Sequence, residues 1–314
     1  MNEAFDQSQT PFWNIKNVTT VGILSLLYLV LSYWLIGFRA EQVILVILFA
    51  GLYFLSKPTR KFILAFSVFI VYWIFFDYMK AFPNYHYGTV HIESLYQADK
   101  KLFGFHSHGE LISANEFWNE HSNPALDVAS GFFYLFWIPL PLLFAAYLFY
   151  ADRKQFFLFS LTFFWVNIIG WIVYYSFPAA PPWYIQQTGF HFDPQTLGNV
   201  GGLGRFDQFF HVKVFDSIYA KSSNVFAAMP SLHSAYPMIV LYYGIKKKMG
   251  MVNVFFATVM VGIWFGAVYT SHHYVIDVLA GIACAIVGIF TFEVFVSKSR
   301  WLNRFIARWM NATK

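Results

Sequence analysis

Charge is scarce in this chain. Only 12% of its 314 residues are Asp, Glu, Lys or Arg, about half the share of an average soluble domain. Cysteine is scarcer. Cys284 stands alone, which excludes an internal disulfide and a cysteine-built metal cluster; in its apolar run it reads as a small core residue. No clear internal repeat and no low-complexity linker interrupt the sequence. The first twenty residues carry Glu3 and Asp6 without a basic n-region, so no cleavable signal peptide is expected. His106 and His108 come without further ligands at a recognisable spacing, so neither a metal nor another cofactor is expected.

What fills the space is apolar. Hydrophobic residues make up 58% and aromatics 22% of the chain, with a mean hydropathy of +0.50. Run length excludes a very apolar soluble protein, because several stretches approach the roughly 20 residues needed to cross a bilayer. Eight candidate spans follow, at 21–38, 41–55, 60–80, 126–150, 156–177, 230–245, 251–269 and 274–296, the second and sixth short. Lys57, Arg60, Lys61, Arg153, Lys154, Lys246, Lys247 and Lys248 then share one side with the tail that carries Lys298, Arg300, Arg304, Arg308 and Lys314. The opposite turns hold only Arg39, or no Lys or Arg between 270 and 273. Both termini are therefore expected in the cytoplasm. The net charge of +5 reflects that orientation rather than a nucleic-acid partner.

The expected fold is all-α, a polytopic membrane helix bundle of about eight transmembrane helices. An N-terminal transmembrane hairpin (1–59) would precede a six-helix core (60–296) and a basic tail (297–314). Two long connections, 81–125 and 178–229, fall on the non-cytoplasmic side. Loops of that length are commonly functional. The first mixes aromatics with charges and reads as interfacial helices.

The stretch "YTSHHYVIDVLAG" (269–281) puts His272, His273 and Asp277 into a lipid-facing pattern, and ionisable groups inside spans default to function. At four residues apart, His273 and Asp277 are expected on one helix face, with Asp277 accepting from one ring nitrogen of His273 and fixing its tautomer. "PSLHSA" puts His233 one turn into the sixth span. Spans six and eight both run inward from the non-cytoplasmic face, so the two imidazoles are expected at one depth. They suit a nucleophile and a general acid–base. Asp77, Asp127 and Glu293 fall near span ends, within reach of headgroup water. Asn167 reads as a packing hydrogen bond, and Gly262 with Gly266 as a helix contact.

"PSLHSA" and "HHYVIDVLAG" resemble the second and third signatures of the type 2 phosphatidic acid phosphatase superfamily. With "FPAAPPWY" (177–184) and "GGLGRFD" (201–207), in that order, the chain is most similar to the branch containing fungal inositol phosphorylceramide synthase, over about 170–285. The resemblance implies that His273 attacks phosphorus, Asp277 orients it and His233 handles the leaving-group proton. Trp183, Tyr184, Ser231 and His272 lie in these motifs and join Arg205, a planar fork suited to phosphate, as candidate substrate-binding residues. The family's first signature, Lys with Arg-Pro seven residues on, is missing, and Gly266 and Ala267 stand where the third has Ser-Arg. A phosphomonoester carries about −1.5 to −2 and a diester about half that, so fewer cations argue for a diester.

The expected activity is transfer of a phosphoryl head group from a glycerophospholipid to a lipid alcohol. The resemblance suggests phosphatidylinositol as donor and ceramide as acceptor. A lipid phosphatase and a non-catalytic transporter or scaffold remain as rivals.

Overall fold

A computed structural model describes residues 13–220 and 224–313; Glu3, Asp6 and Lys314 lie outside the described residues. These form α-helices, a few short 3-10 turns and one two-stranded antiparallel hairpin. Packing divides them into two compact units, 1–81 with 303–314, and 82–302. Compactness thus groups the third expected span with the first two.

In the first unit, α1 (Ile15–Ile36), α2 (Ala40–Leu55) and α3 (Lys57–Tyr78) fold back on one another. Asn14 caps α1 by accepting from the Asn17 N–H at 2.7 Å, and Ser56 caps α3 through Thr59, each satisfying a backbone donor that the first turn leaves unpaired. Val21, Tyr53 and Ile63 form a buried seam, and the Ser32 and Tyr78 hydroxyls meet at 2.8 Å. Most of α1 is exposed and apolar, including Leu24, Leu27 and Val30, as a lipid-facing surface requires.

The second unit opens with α4 (Glu93–Phe103), the hairpin β1 (Phe105–Ser107) and β2 (Glu110–Ile112), and α5 (Ala114–Glu120). Next come α6 (Pro124–Tyr134), α7 (Pro139–Ala151) and α8 (Arg153–Ser176). Short helices α9 (Pro182–Thr188), α10 (Gly204–Phe210) and α11 (Val214–Tyr219) lead into α12 (Leu232–Lys246), α13 (Val252–Tyr269) and α14 (Val275–Lys298). The last helix, α15 (Arg300–Ala312), belongs mostly to the first unit, where the Trp309 indole donates to the Leu64 carbonyl at 3.3 Å.

Six helical stretches among the described residues are long and apolar enough to cross a membrane: Ile15–Ile36, Lys57–Ala81, Pro124–Ala151, Arg153–Ser176, Val252–Tyr269 and Val275–Val296. The protein is a multi-pass membrane protein. The span expected over 126–150 falls within one of these, Pro124–Ala151, whose helix is interrupted by turns between α6 and α7. Pro139 and Pro141 lack the N–H that would continue the ladder, and a proline disfavours helix in the residue before it. At 16 and 15 residues, α2 and α12 fall short of that length.

α12 is the hub of the second unit, packing on α7, α8, α13 and α14. Tyr236 donates to Asn167 at 2.6 Å, and Asn167 donates to the Phe163 carbonyl at 2.8 Å, the packing role expected for Asn167. Gly262 and Gly266 lie against Phe133 and Tyr134, making the expected helix contact. Gly281 brings α14 onto the start of α12, where an added methyl would run into the Ser231 carbonyl. Gly281→Ala is expected to cost about 1–3 kcal/mol by overpacking. Gly51→Ala, with open space around the new carbon, serves as the neutral control. Melting temperatures of the two variants in detergent, compared with the parent, measure the difference.

Candidate active site

The turn between α13 and α14 carries the densest chemistry. His272 and His273 both donate their backbone N–H to the Ala267 carbonyl at 3.0 Å. Ser271 sits at φ +58°, a left-handed conformation uncommon for a residue with a Cβ. Three other segments hold the turn in place. The Asn115 amide donates to the carbonyls of Val268 (2.8 Å) and His273 (3.0 Å). Trp183 N–H donates to the Ser271 carbonyl at 3.0 Å, and Gly202 N–H to the Thr270 carbonyl at 2.8 Å. Gly202 is required here, since a Cβ would lie 2.8 Å from the Thr270 Cα and 2.9 Å from the Arg205 guanidinium.

His273 and Asp277 do not share a helix face, contrary to the spacing argument. α14 begins at Val275 with Tyr274 as its cap, so His273 belongs to the turn. Asp277 accepts from the Tyr274 N–H at 2.9 Å, the usual fate of an acid in a first helical turn. That leaves the other contact longer, with His273 Nδ1 3.7 Å from Asp277 Oδ2. His233 is the second residue of α12 rather than a full turn in. It reaches the turn because Ser231 N–H donates to the Asp277 carbonyl at 2.9 Å. His233 Nδ1 and His273 Nε2 meet at 3.0 Å, so the two motif segments do converge.

The imidazoles sit in an aromatic enclosure. Trp137 meets the His233 ring edge-on at 4.5 Å, and Tyr134 lies 5.3 Å from His233 and 5.5 Å from His272. Tyr219 covers His272 at 4.4 Å. Burial pulls the His273 imidazole down to about 4, against a smaller upward pull from the Ala228 backbone, so it is neutral at about pH 7. Thr270 donates its hydroxyl to the Gly266 carbonyl at 2.6 Å and lies 3.0 Å from His272 Nδ1. The hydroxyl's proton being committed, His272 Nδ1 must be the donor. Its Nε2 is then a lone pair, buried without a partner among the described residues.

Arg205 stands close to this turn across Gly202. Its Nε donates to Asp127 Oδ1 at 2.6 Å, and the guanidinium lies 5.2 Å over the Tyr269 ring. Nη2 is buried without a hydrogen-bond partner among the described residues. Asp127 is therefore not a headgroup-wetted acid; it is buried, and it also accepts from the Tyr269 hydroxyl at 2.8 Å. Ser231 is fully buried, accepts from the Ser234 hydroxyl at 3.0 Å, and docks α12 on α14. Trp183 is buried and holds the turn through its backbone. Tyr184 lies in a cluster with Ile92, Ala180 and Phe226. Its hydroxyl donates to the His191 carbonyl and accepts from Asp193 N–H, both at 2.7 Å, so it has no hydroxyl proton left for a ligand.

One acid at this site escaped the sequence reading. Asp99, on α4, is fully buried, and its Oδ1 accepts from Ile276 N–H at 2.9 Å. Ile92, Leu95 and Asp99 are all buried, and helical spacing puts the acid on the apolar stripe, which was the legible signal. Burial and the neighbouring Asp277 raise its carboxyl to about 6, against the lowering pull of the Ile276 and Val275 N–H groups.

The sequence profile of the PAP2 superfamily matches residues 93–291, more than half of the chain, and the chain belongs to that superfamily. It is 42% identical to the phosphoinositol dihydroceramide synthase of Bacteroides thetaiotaomicron over 301 residues, 95% of this chain and 99% of the other. It is 31% identical over 138 residues to the inositol phosphorylceramide synthase of Candida albicans, 43% of this chain and 28% of the other. With the inositol phosphorylceramide synthase catalytic subunit AUR1 of Saccharomyces cerevisiae it shares 32% identity over 118 residues, 37% of this chain and 29% of the other. No solved structure matches.

Asp99 sets a pH dependence of stability. Its folded carboxyl titrates at about 6, against about 4 for an ordinary Asp. Between those values the folded protein keeps a proton that the unfolded chain has released. Stability therefore falls as pH rises from about 4 to 6, by up to about 3 kcal/mol. Asp99→Asn keeps an acceptor for Ile276 N–H and should flatten that slope. Melting temperature against pH for both proteins is the check, and parallel curves would contradict the assignment.

Proposed function

We propose that this chain is an integral-membrane transferase that moves a phosphoinositol head group from a glycerophospholipid to ceramide or a closely related lipid alcohol, releasing diacylglycerol. The observation that carries it is the 3.0 Å contact between His233 Nδ1 and His273 Nε2, with Asp277 behind the second ring. The long match to a phosphoinositol dihydroceramide synthase supplies the choice of head group and acceptor.

The tautomers follow from the neighbours. Asp277 faces Nδ1 of His273, so that nitrogen carries the proton and Nε2 presents a lone pair. In the free enzyme that lone pair accepts from His233 Nδ1–H. When the donor's phosphodiester takes the place of this hydrogen bond, Nε2 attacks phosphorus and the bond to the glycerol oxygen breaks. His233 Nδ1–H protonates the departing diacylglycerol oxygen. Positive charge on the His273 ring draws the carboxylate in from 3.7 Å; such contacts are often long before substrate binds. In the second half, His233 takes the proton of the acceptor hydroxyl, whose oxygen attacks phosphorus and breaks the N–P bond. Arg205 Nη2, buried and unpartnered, would donate to a phosphoryl oxygen. His272 Nε2, a buried lone pair, would accept a hydrogen bond from the hydroxyl of the incoming lipid alcohol. The aromatic enclosure keeps water from competing for the phosphoryl group.

His273→Ala should abolish transfer, and His233→Ala should lower it by about 10²–10⁴, without additivity between them. Purified protein in vesicles, given labelled phosphatidylinositol with ceramide, should move the label onto ceramide. Release of inorganic phosphate from phosphatidic acid with no transfer to a lipid alcohol would make it a phosphatase instead.

The topology that serves this chemistry has eight spans, with α2 and α12 as the short ones. Both termini face the cytoplasm, and 60–296 forms the catalytic core. The connections 81–125 and 178–229 cover the site at the non-cytoplasmic face. The alternation of Lys- and Arg-rich turns supports it. In a Cys284→Ala background, Lys57→Cys and Leu197→Cys should label from opposite sides of intact cells; labelling of both from outside would rule out eight spans.

A further inference from the structure

The turn that carries His273 has a second side. Its imidazole faces α12, whereas its carbonyl is held by Asn115 of α5 at 3.0 Å. The next residue, Tyr274, lines a cavity of about 220 Å³ with Tyr96, Asn115, Glu116, Gln186 and Phe190. This is smaller than the roughly 300–1,000 Å³ of drug-sized sites and suits a single ring. Two of these lining residues carry a polar atom without a hydrogen-bond partner among the described residues, the Tyr274 hydroxyl and Asn115 Oδ1, although both residues are only 1% exposed. A buried polar group without a partner is costly, and a ligand rich in hydroxyls would relieve both.

The rest of the lining fits such a ligand. Glu116 is fixed as an acceptor by the Tyr96 hydroxyl at 2.6 Å and by Ser113 N–H at 2.6 Å. Lys100 donates to the Tyr96 hydroxyl at 2.7 Å and lies 3.5 Å from Glu116, so its charge is already balanced. Tyr96 and Phe190 stand 5.5 Å apart as an apolar wall for ring C–H groups. A carboxylate, an amide and a phenol suit vicinal hydroxyls; with its cation neutralised, the pocket is poorly matched to a second phosphate.

We propose that this pocket seats the head-group ring of the donor lipid, an uncharged cyclic polyol, through both half-reactions. This rests on the transfer reading above. In a double displacement the phosphorylated polyol stays on His273 while one lipid alcohol leaves and another enters through His233. The retained group therefore needs a place away from His233, and this cavity lies on that side of the turn.

The experiment compares kcat/KM for phosphatidylinositol, phosphatidylglycerol and phosphatidylinositol 4-phosphate, with ceramide fixed, using the full chain in vesicles. The parent should prefer phosphatidylinositol to both others. Tyr274→Phe removes a hydroxyl with no partner among the described residues, so melting should hold while preference over phosphatidylglycerol drops about tenfold, mainly through KM. Phe190→Trp narrows the pocket and should erode the preference further, with transfer from phosphatidylglycerol persisting. Unchanged preference in both variants, with normal melting, overturns the assignment. An active parent that shows no preference among the three donors overturns it too. A parent chain that transfers from no donor would instead bring down the transferase reading, and this one with it.

Discussion

One backbone hydrogen bond, from Ser231 N–H to the Asp277 carbonyl at 2.9 Å, fastens together the two segments that carry the imidazoles. Gly281, one turn further along α14, lets the helices approach closely enough to make it. With that distance fixed, His233 at the head of α12 and His273 just before α14 have little choice but to meet. The neighbouring donors and acceptors then grip the turn from α5, α9 and the Gly201–Leu203 segment.

The enclosure carries a cost that makes chemical sense. Arg205 Nη2, His272 Nε2, Asp277 Oδ1 and Asp99 Oδ2 are all buried without hydrogen-bond partners among the described residues. Each such group destabilises the free protein by about 1–3 kcal/mol. Low polarity also keeps His273 neutral, as the nucleophile proposed here must be. The left-handed backbone at Ser271 adds local strain that the surrounding hydrogen bonds hold in place.

The cation count is modest for phosphate chemistry. Arg205 is partly engaged by Asp127 at 2.6 Å, so the site offers less than one full positive charge to a ligand. A doubly charged phosphomonoester would be poorly balanced there, whereas a singly charged phosphodiester meets a matching environment. The same electrostatics explain why Asp127 is buried at all: removing its charge would leave a guanidinium in an apolar surrounding with no counter-ion.

Apolar run length determined the helical, multi-pass character of the chain. The motifs "PSLHSA" and "HHYVIDVLAG" determined which imidazoles to bring together, because both signals are local and reside in composition and spacing. Sequence spacing failed where the answer depended on a helix boundary. His273 and Asp277 are four positions apart, but the helix starts between them, since Asp277 caps its own first turn. It failed likewise at Asp127, expected within reach of headgroup water, and it passed over Asp99 among the charges of the 81–125 connection; both are buried. Tertiary structure decided those positions, because whether an acid is wetted or buried depends on partners far along the chain. Asp99 finds its N–H donor 177 residues away and Asp127 its guanidinium 78 residues away, distances over which no local pattern carries information.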